Sequence, residues 1–455
     1  MQYNREIPEL DEVDVLVVGG GPAGIAAAVA AARNGARTRL VERFGFLGGN
    51  LTAGLVGPCM TSFSLDGREQ LIRGVFDEFV RRMEENGGAL HPSRTHAGDA
   101  YSGFIVYGHD KVTPFEPEAA KVTAVQMCRE AGVDLRLHSF VADTVVRDGR
   151  VVGVVVASKS GLQMLPAIVT VDCSADGDVA AAAGVATVYG RETDGLVQPM
   201  TLFFRVSGVD DEAVEAYVRS HPEDGRPFES LVTTAREEGR FPSPRRGVGM
   251  YKTLHKGVWR INTTRVLKRD GTDVTDLTAA ELDGRDQVQA LVAFFRDSLP
   301  GFANSELLDT AATIGVRETR RIDGEYRLEL ADLQSGRHFD DVIALCAYPV
   351  DIHDPTGSGG GVDESAGTAN VYEIPYRSLV PREMDGLLVA GRCVSASHEA
   401  LAAIRVMPPA FAMGEAAGTA AALATQGGIA PRTVDIGRLQ KTLLSQGAYL
   451  GALAA

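Results

Sequence analysis

The chain has 455 residues, enough for two or three domains, and 45% of them are hydrophobic, as in a globular protein with a sizeable core. Sixty acidic residues against 45 basic ones leave a formal net charge of −15, which argues against nucleic acid or an anionic membrane surface as a partner. The five cysteines (Cys59, Cys128, Cys173, Cys346, Cys393) show no CxxC and no Cys/His spacing that suits zinc. No metal site and no disulfide framework is expected, and a reducing cytoplasm is the expected location.

The β-branched run Asp14–Val18 predicts a buried strand. Residues 15–32 are apolar or small over the length of a membrane span. Acidic Glu9, Asp11, Glu12 and Asp14 precede them and Gly19–Pro22 interrupts them, so neither a span nor a signal peptide is expected. Gly19-x-Gly21-x-x-Gly24 follows the strand, then an Ala-rich helix to Asn34–Gly35, then a second strand, Arg37–Val41, ending on Glu42. That order is the dinucleotide fingerprint in its structural context. Gly19 permits the tight turn, Gly21 lets a pyrophosphate approach the backbone, and Gly24 brings helix and sheet together. Glu42 stands where a carboxylate binds ribose hydroxyls. The fingerprint alone does not separate FAD from NAD. A second glycine cluster, Gly48-Gly49-Asn50, suits either a longer cofactor or a surface loop.

Further along, residues 141–157 predict a β-hairpin turning at Asp148-Gly149. Residues 167–184 predict a strand, a small-residue turn and another Ala-rich helix. Residues 191–345 carry more charge, with helical patterns near 211–220 and 279–297, and residues 60–115 are a candidate pocket wall. A strand is expected to end on Gly391, and a helix of small residues to run from Pro408–Pro409 to about Thr425 with Arg405 just before it.

These segments together resemble the FAD-dependent oxidoreductase family of the glutathione-reductase-like FAD fold, and more distantly the flavoproteins of fumarate reductase and succinate dehydrogenase. The resemblance rests on the fingerprint, LGGN (47–50), DCSADGD (172–178), IGVRETRRI (314–322), YPVDIHDPTG (348–357), IPYRSLVP (374–381) and residues 387–424. It implies an α/β fold, with a discontinuous Rossmann-like FAD-binding domain (1–190 and 346–455) and an inserted α+β substrate or cap domain (191–345). It also implies that Gly19, Gly21, Pro22, Ala23 and Gly24 hold the pyrophosphate and that Glu42 and Arg43 lie at the adenosine ribose. Gly48, Gly49 and Asn50 would follow the ribityl and flavin region, and Val141 would meet adenine through its backbone. Cys173, Ser174, Ala175 and Asp176 stand where many relatives have Ala-Thr-Gly. Gly391, Arg392, Ile404, Arg405 and Val406 would approach the pyrophosphate and the ring. The sequence departs from disulfide reductases in lacking a CxxxxC pair, and it has no second GxGxxG in a strand–helix context.

Three residues are candidates for chemistry at the flavin. His353, between Asp351 and Asp354, is a proton donor candidate, with a capped turn as the plainer reading. His398 has a hydrogen-bonded structural role as its competitor. Arg405 suits a substrate carboxylate or the negative charge of reduced flavin, at the positive end of the helix that follows. Arg317, Arg320 and Arg321 are expected to form a solvated or domain-bridging run, with a substrate clamp as the alternative. The expected protein is a soluble oxidoreductase passing a hydride between FAD and a small organic substrate, with an external electron donor or acceptor. Two alternatives stand: an oxidase or monooxygenase that uses dioxygen, and a FAD-binding partner protein without turnover. The oligomeric state, a homo-oligomer included, is left open.

Overall fold

The run Val13–Val18, VDVLVV, is the central strand of a seven-stranded sheet in the computed structural model, which describes residues 6–357, 359–362 and 366–451. Its parallel neighbours on one side are Thr38–Val41 and then Asp134–Arg136. On the other side lie the second half of Gly161–Asp172 and then Leu387–Val389, again parallel. All six residues of Val13–Val18 but one are buried, as a near-continuous apolar run predicts for a strand covered on both faces. The first half of Gly161–Asp172 pairs instead with the antiparallel hairpin Phe140–Arg147/Arg150–Ser158. Asp148 and Gly149 both take positive φ at its tip, the geometry that two-residue hairpin turns need.

Helix Pro22–Arg33 crosses the sheet and packs on helix Met407–Gly427. Small residues permit that contact: a Cβ at Gly414 would overlap the carbonyl oxygen of Ala23, and one at Gly418 that of Ala27. The later helix begins where its prolines allow, with Val406 as N-cap and Pro408 and Pro409 in the first turn. The helix expected after DCSADGD is only Asp178–Ala182. Helices Val75–Glu85 and Pro117–Glu130 stand where the sequence was read only as a candidate wall or not at all. The first is amphipathic, burying Val75, Phe76, Phe79, Val80 and Met83.

A second apolar core is built on an antiparallel sheet in the order Glu306–Thr310, Phe204–Ser207, Trp259–Ile261, Met250–Lys252. Helix Val274–Ser298 covers it, opened by Asp273, whose carboxylate accepts from the N–H groups of Thr275 and Asp276. Helices Asp211–Ser220 and Glu229–Glu237 add Val214, Val232 and Ala235 to that core. Its members run from Leu55 to Ile314. Ile322, Leu328, Leu333, Phe339 and Ile343, inside the 191–345 span, pack into the first core. Among the described residues no helix is long and apolar enough to cross a membrane.

Candidate functional site

One cavity of about 1140 Å³ runs between the two cores. It exceeds the roughly 300–1,000 Å³ usual for a single small ligand. Gly19, Gly21, Pro22, Ala23, Glu42, Arg43, Gly49, Asn50 and Val141 line one end. Cys173, Ser174, Ala175, Asp176, Gly391, Arg392, Arg405 and Val406 are also in the wall, and so is His353. Gly24, Gly48, Ile404 and His398 are not among the lining residues.

The turn after Val13–Val18 puts main-chain groups at the cavity. Gly19 has φ of +95°, a conformation that favours glycine. Gly21 is extended (φ −75°) and caps helix Pro22–Arg33 without any side-chain cap, so the first helical N–H groups are left for a ligand. A Cβ at Gly21 would meet nothing closer than the Gly49 Cα at 3.8 Å. That empty space beside an uncapped helix N-terminus is the cradle a pyrophosphate needs. Gly24 serves the packing instead: a Cβ there would overlap the Gly19 carbonyl oxygen. Gly48 donates to the Gly20 carbonyl at 2.8 Å, tying the second glycine cluster to the first turn. Glu42, 7% exposed, accepts from the N–H of Gly20 (2.7 Å) and of Phe44 (2.9 Å), which fixes its carboxylate at the cavity.

Beside the Gly19 turn, residues 173–176 form another part of the wall. Ala175 there has φ of +74°, in the left-handed region that costs a non-glycine residue about 1 kcal/mol or more. Arg392 pairs with Asp176 and also donates to the Val316 carbonyl, so it braces the wall. Arg320 ties down the same turn through the Asp176 carbonyl (2.8 Å) and the Asp178 carboxylate (2.5 Å). Burial, with Asp176 and Asp172 nearby, pushes the Asp178 carboxyl up to about 6.

At the far end Asp351 is the hub. Its carboxylate lies 3.4 Å from His353 Nε2 and 3.2 Å from Arg405 Nη2, and Arg405 also donates to the Asp351 carbonyl at 2.8 Å. Burial alone would raise its pKa, but His353, Arg405 and Arg317 hold the carboxyl well below its usual range. Burial, then the charge of Arg317, pushes His353 well below an ordinary imidazole, against the pull of Asp351. His353 is therefore neutral beside an ionised Asp351. Gln198 Oε1 accepts from the His353 N–H and from Arg405, each at 3.3 Å, and locks the pair together.

His398 lies behind this cluster, its Nδ1 2.8 Å from Glu318, which also pairs with buried Arg321. Glu318 accepts from the Gln198 N–H at 3.2 Å, so Glu318 and Gln198 link His398 to the cavity wall. Ile404 is fully buried beneath. Arg317, Arg320 and Arg321 are not a solvated run: the first lines the cavity, the second holds the Asp176 turn, and the third is 1% exposed. Arg226, Arg245, Tyr251 and His109 also line the cavity, with Tyr348 from the first core. Of these only Tyr348, which opens YPVDIHDPTG, stands in one of the quoted motifs. Only the general charge of 191–345 hinted at the arginines.

A model of the family described as FAD dependent oxidoreductase matches residues 14–443. Thiamine thiazole synthase of Desulfosudis oleivorans (strain DSM 6200 / JCM 39069 / Hxd3) is 32% identical over 154 residues, 34% of this chain and 48% of that protein. The enzyme of that name from Pyrococcus abyssi (strain GE5 / Orsay) is 29% identical over 154 residues, 34% of this chain and 50% of that protein. The chain thus spans about half the length of the curated relatives it matches. Among solved structures, L-proline dehydrogenase from P. horikoshii is similar with a TM-score of 0.47 and 12% identity, over 98% of this chain and 100% of that one. The p-nitrophenol 4-monooxygenase PnpA from Pseudomonas putida DLL-E4 is similar with a TM-score of 0.49 and 12% identity, over 96% and 84%. The glycine cradle, the uncapped helix and the ribose-side carboxylate fit FAD, and the family match extends over nearly the whole chain. The chain belongs to the FAD dependent oxidoreductase family.

Proposed function

We infer that the enzyme exchanges a hydride with a small organic substrate held at the Asp351–His353–Arg405 end of the cavity. The reaction class is dehydrogenation or reduction of a carbon–carbon or carbon–heteroatom bond. The observation that carries this reading is a single cavity with a dinucleotide cradle at one end and a neutral histidine paired to an ionised carboxylate at the other. Bound FAD supplies the two-electron chemistry; the chain binds, orients and handles protons. Gly21 and the N-terminus of helix Pro22–Arg33 would hold the pyrophosphate, Glu42 the ribose, and the Val141 backbone the adenine. With Nε2 of His353 turned to Asp351, Nδ1 is the atom that takes a proton from substrate, and Asp351 stabilises the resulting imidazolium. Arg405 presents positive charge where the helix Met407–Gly427 begins.

The five cysteines are buried and none is disulfide-bonded, and burial pushes the Cys59 thiol up to about 12. That supports an external electron donor or acceptor rather than a thiol relay. The packing supports a substrate-side unit of about residues 200–316, shorter than 191–345.

The test is anaerobic bleaching of the FAD-loaded protein by small organic substrates. His353→Asn should slow bleaching about 10²–10⁴-fold without lowering FAD content. A neutral imidazole of depressed pKa keeps its basic form in acid, so the acid limb of the wild-type dehydrogenation rate should fall below about pH 6.5. A His353→Asn protein that bleaches as fast as wild type would overturn this role for His353.

A further inference from the structure

Arg405 has Asp351, but its neighbours in the cavity wall lack the carboxylate partners that several arginines elsewhere have. Arg39 meets Asp134 at 2.7 Å, Arg205 meets Asp309 at 2.6 Å and Arg377 meets Asp341 at 2.9 Å. By contrast Arg245, 7% exposed, donates to the carbonyl and side-chain oxygen of Asn262. Arg317 donates to the Pro199 carbonyl at 2.5 Å and the Thr201 hydroxyl at 2.7 Å. Among the described residues neither these two nor Arg226 has a carboxylate within 4.0 Å, although all three line the cavity.

Charge makes the arrangement costly without a ligand. Burial and the neighbouring Arg226 and Arg265 bring Arg245 down to about 10, and burial with Arg405 and Arg245 pushes Arg317 well below its ordinary value. Among the described residues half-buried Asp351 is the carboxylate whose charge reaches both Arg245 and Arg317, and His353 and Arg405 already engage it. A buried guanidinium held only by neutral oxygens is poorly compensated for its lost hydration. The pyrophosphate cradle is built from other residues, Gly21 and the N-terminus of helix Pro22–Arg33. A planar anion reaching this wall would find guanidinium forks suited to bidentate hydrogen bonding.

We propose that the substrate is a small organic acid whose carboxylate is held by Arg245 and Arg317, with Arg226 at the edge of the same site. This names the substrate class of the site described above and rests on that reading only for the site's place beside the cofactor. The carboxylate anchors the molecule, and the carbon to be oxidised or reduced lies toward His353.

Calorimetric titration of the FAD-loaded protein with acetate, malonate and the neutral control malonamide tests it. At least one acid should bind saturably and at least about tenfold tighter than malonamide. Arg245→Gln and Arg317→Gln should each weaken that acid by about ten- to a hundredfold. If either variant fails to fold, Arg226→Gln, at the half-exposed edge, decides by the same criterion with a smaller loss. Acids that bind no better than malonamide, or that bind these variants as well as wild type, overturn the proposal. Because binding is read without turnover, such a failure is separate from that of the redox reading, which bleaching decides.

Discussion

At one end of the cavity Gly19, Gly21, Pro22 and Ala23 offer main-chain atoms from a single turn, held by a helix packed close to its neighbours. At the other end Arg245, Arg317, Asp351, His353 and Arg405 offer side chains from separate segments of the chain. The first end is a shape that Cβ atoms would fill. The second is a charge arrangement that only the folded chain assembles. The two ends should therefore break differently: the first by volume, with the cofactor lost, the second by charge, with the cofactor kept.

The largest effect is expected at the backbone end. Gly24→Ala places a methyl group on the Gly19 carbonyl, a main-chain atom that cannot rotate away. The variant should lose about 3 kcal/mol or more of stability and most of its FAD, read by thermal unfolding and by the absorbance of the purified protein. At the side-chain end His353→Asn should keep its FAD and lose about 10²–10⁴-fold in bleaching rate, or roughly 3–5 kcal/mol of barrier.

Glu415 sharpens the contrast, because it places an ionisable group in the closely packed helix Met407–Gly427, beside Val75 rather than in the cavity wall. It is 3% exposed, accepts from the Val75 N–H at 3.0 Å, and its Oε1 has no partner among the described residues. Burial pushes it up to about 7, opposed in part by that N–H. Between an ordinary carboxylate value near 4.3 and about 7, the folded protein keeps a proton that the unfolded chain releases. Stability should therefore fall as pH rises across that window and level off above it. Glu415→Gln should remove the fall, making the variant more stable than wild type near pH 8 by about 4 kcal/mol at most. Denaturant unfolding at pH 5 and pH 8 measures it.

The same contrast governs what the sequence revealed. Gly19-x-Gly21-x-x-Gly24 and the Asp148-Gly149 turn are local patterns whose physics is complete within a few residues, and Glu42 follows at a set spacing. The helices Pro22–Arg33 and Met407–Gly427 were visible from small residues and proline placement for the same reason. His353 and Arg405 lie in segments carried by the family resemblance, yet their meeting at Asp351 depends on Gln198, more than 150 residues away. Arg245 and Tyr251 come from a core built on short strands, and nothing in their neighbours marks them for a cavity. His398 shows the converse. It sits in the resemblance segment, but Glu318, buried and 80 residues distant, claims its ring. The amphipathic helix Val75–Glu85 lies in a stretch that the sequence marked only as a candidate wall, and the helix after DCSADGD is short, Asp178–Ala182.

The claim that the cofactor's pyrophosphate lies against the backbone at Gly21 has a direct test in Gly21→Ala. Gly21 is extended, and an added Cβ meets no protein atom closer than 3.8 Å, so the substitution fits the protein and intrudes only on what occupies the cavity. Apoprotein stability should stay within about 0.5 kcal/mol of wild type. FAD affinity, measured by titration of the apoprotein, should fall about tenfold or more, equivalent to at least about 1.4 kcal/mol. FAD that binds Gly21→Ala as tightly as wild type, with stability unchanged, would contradict this placement of the cofactor.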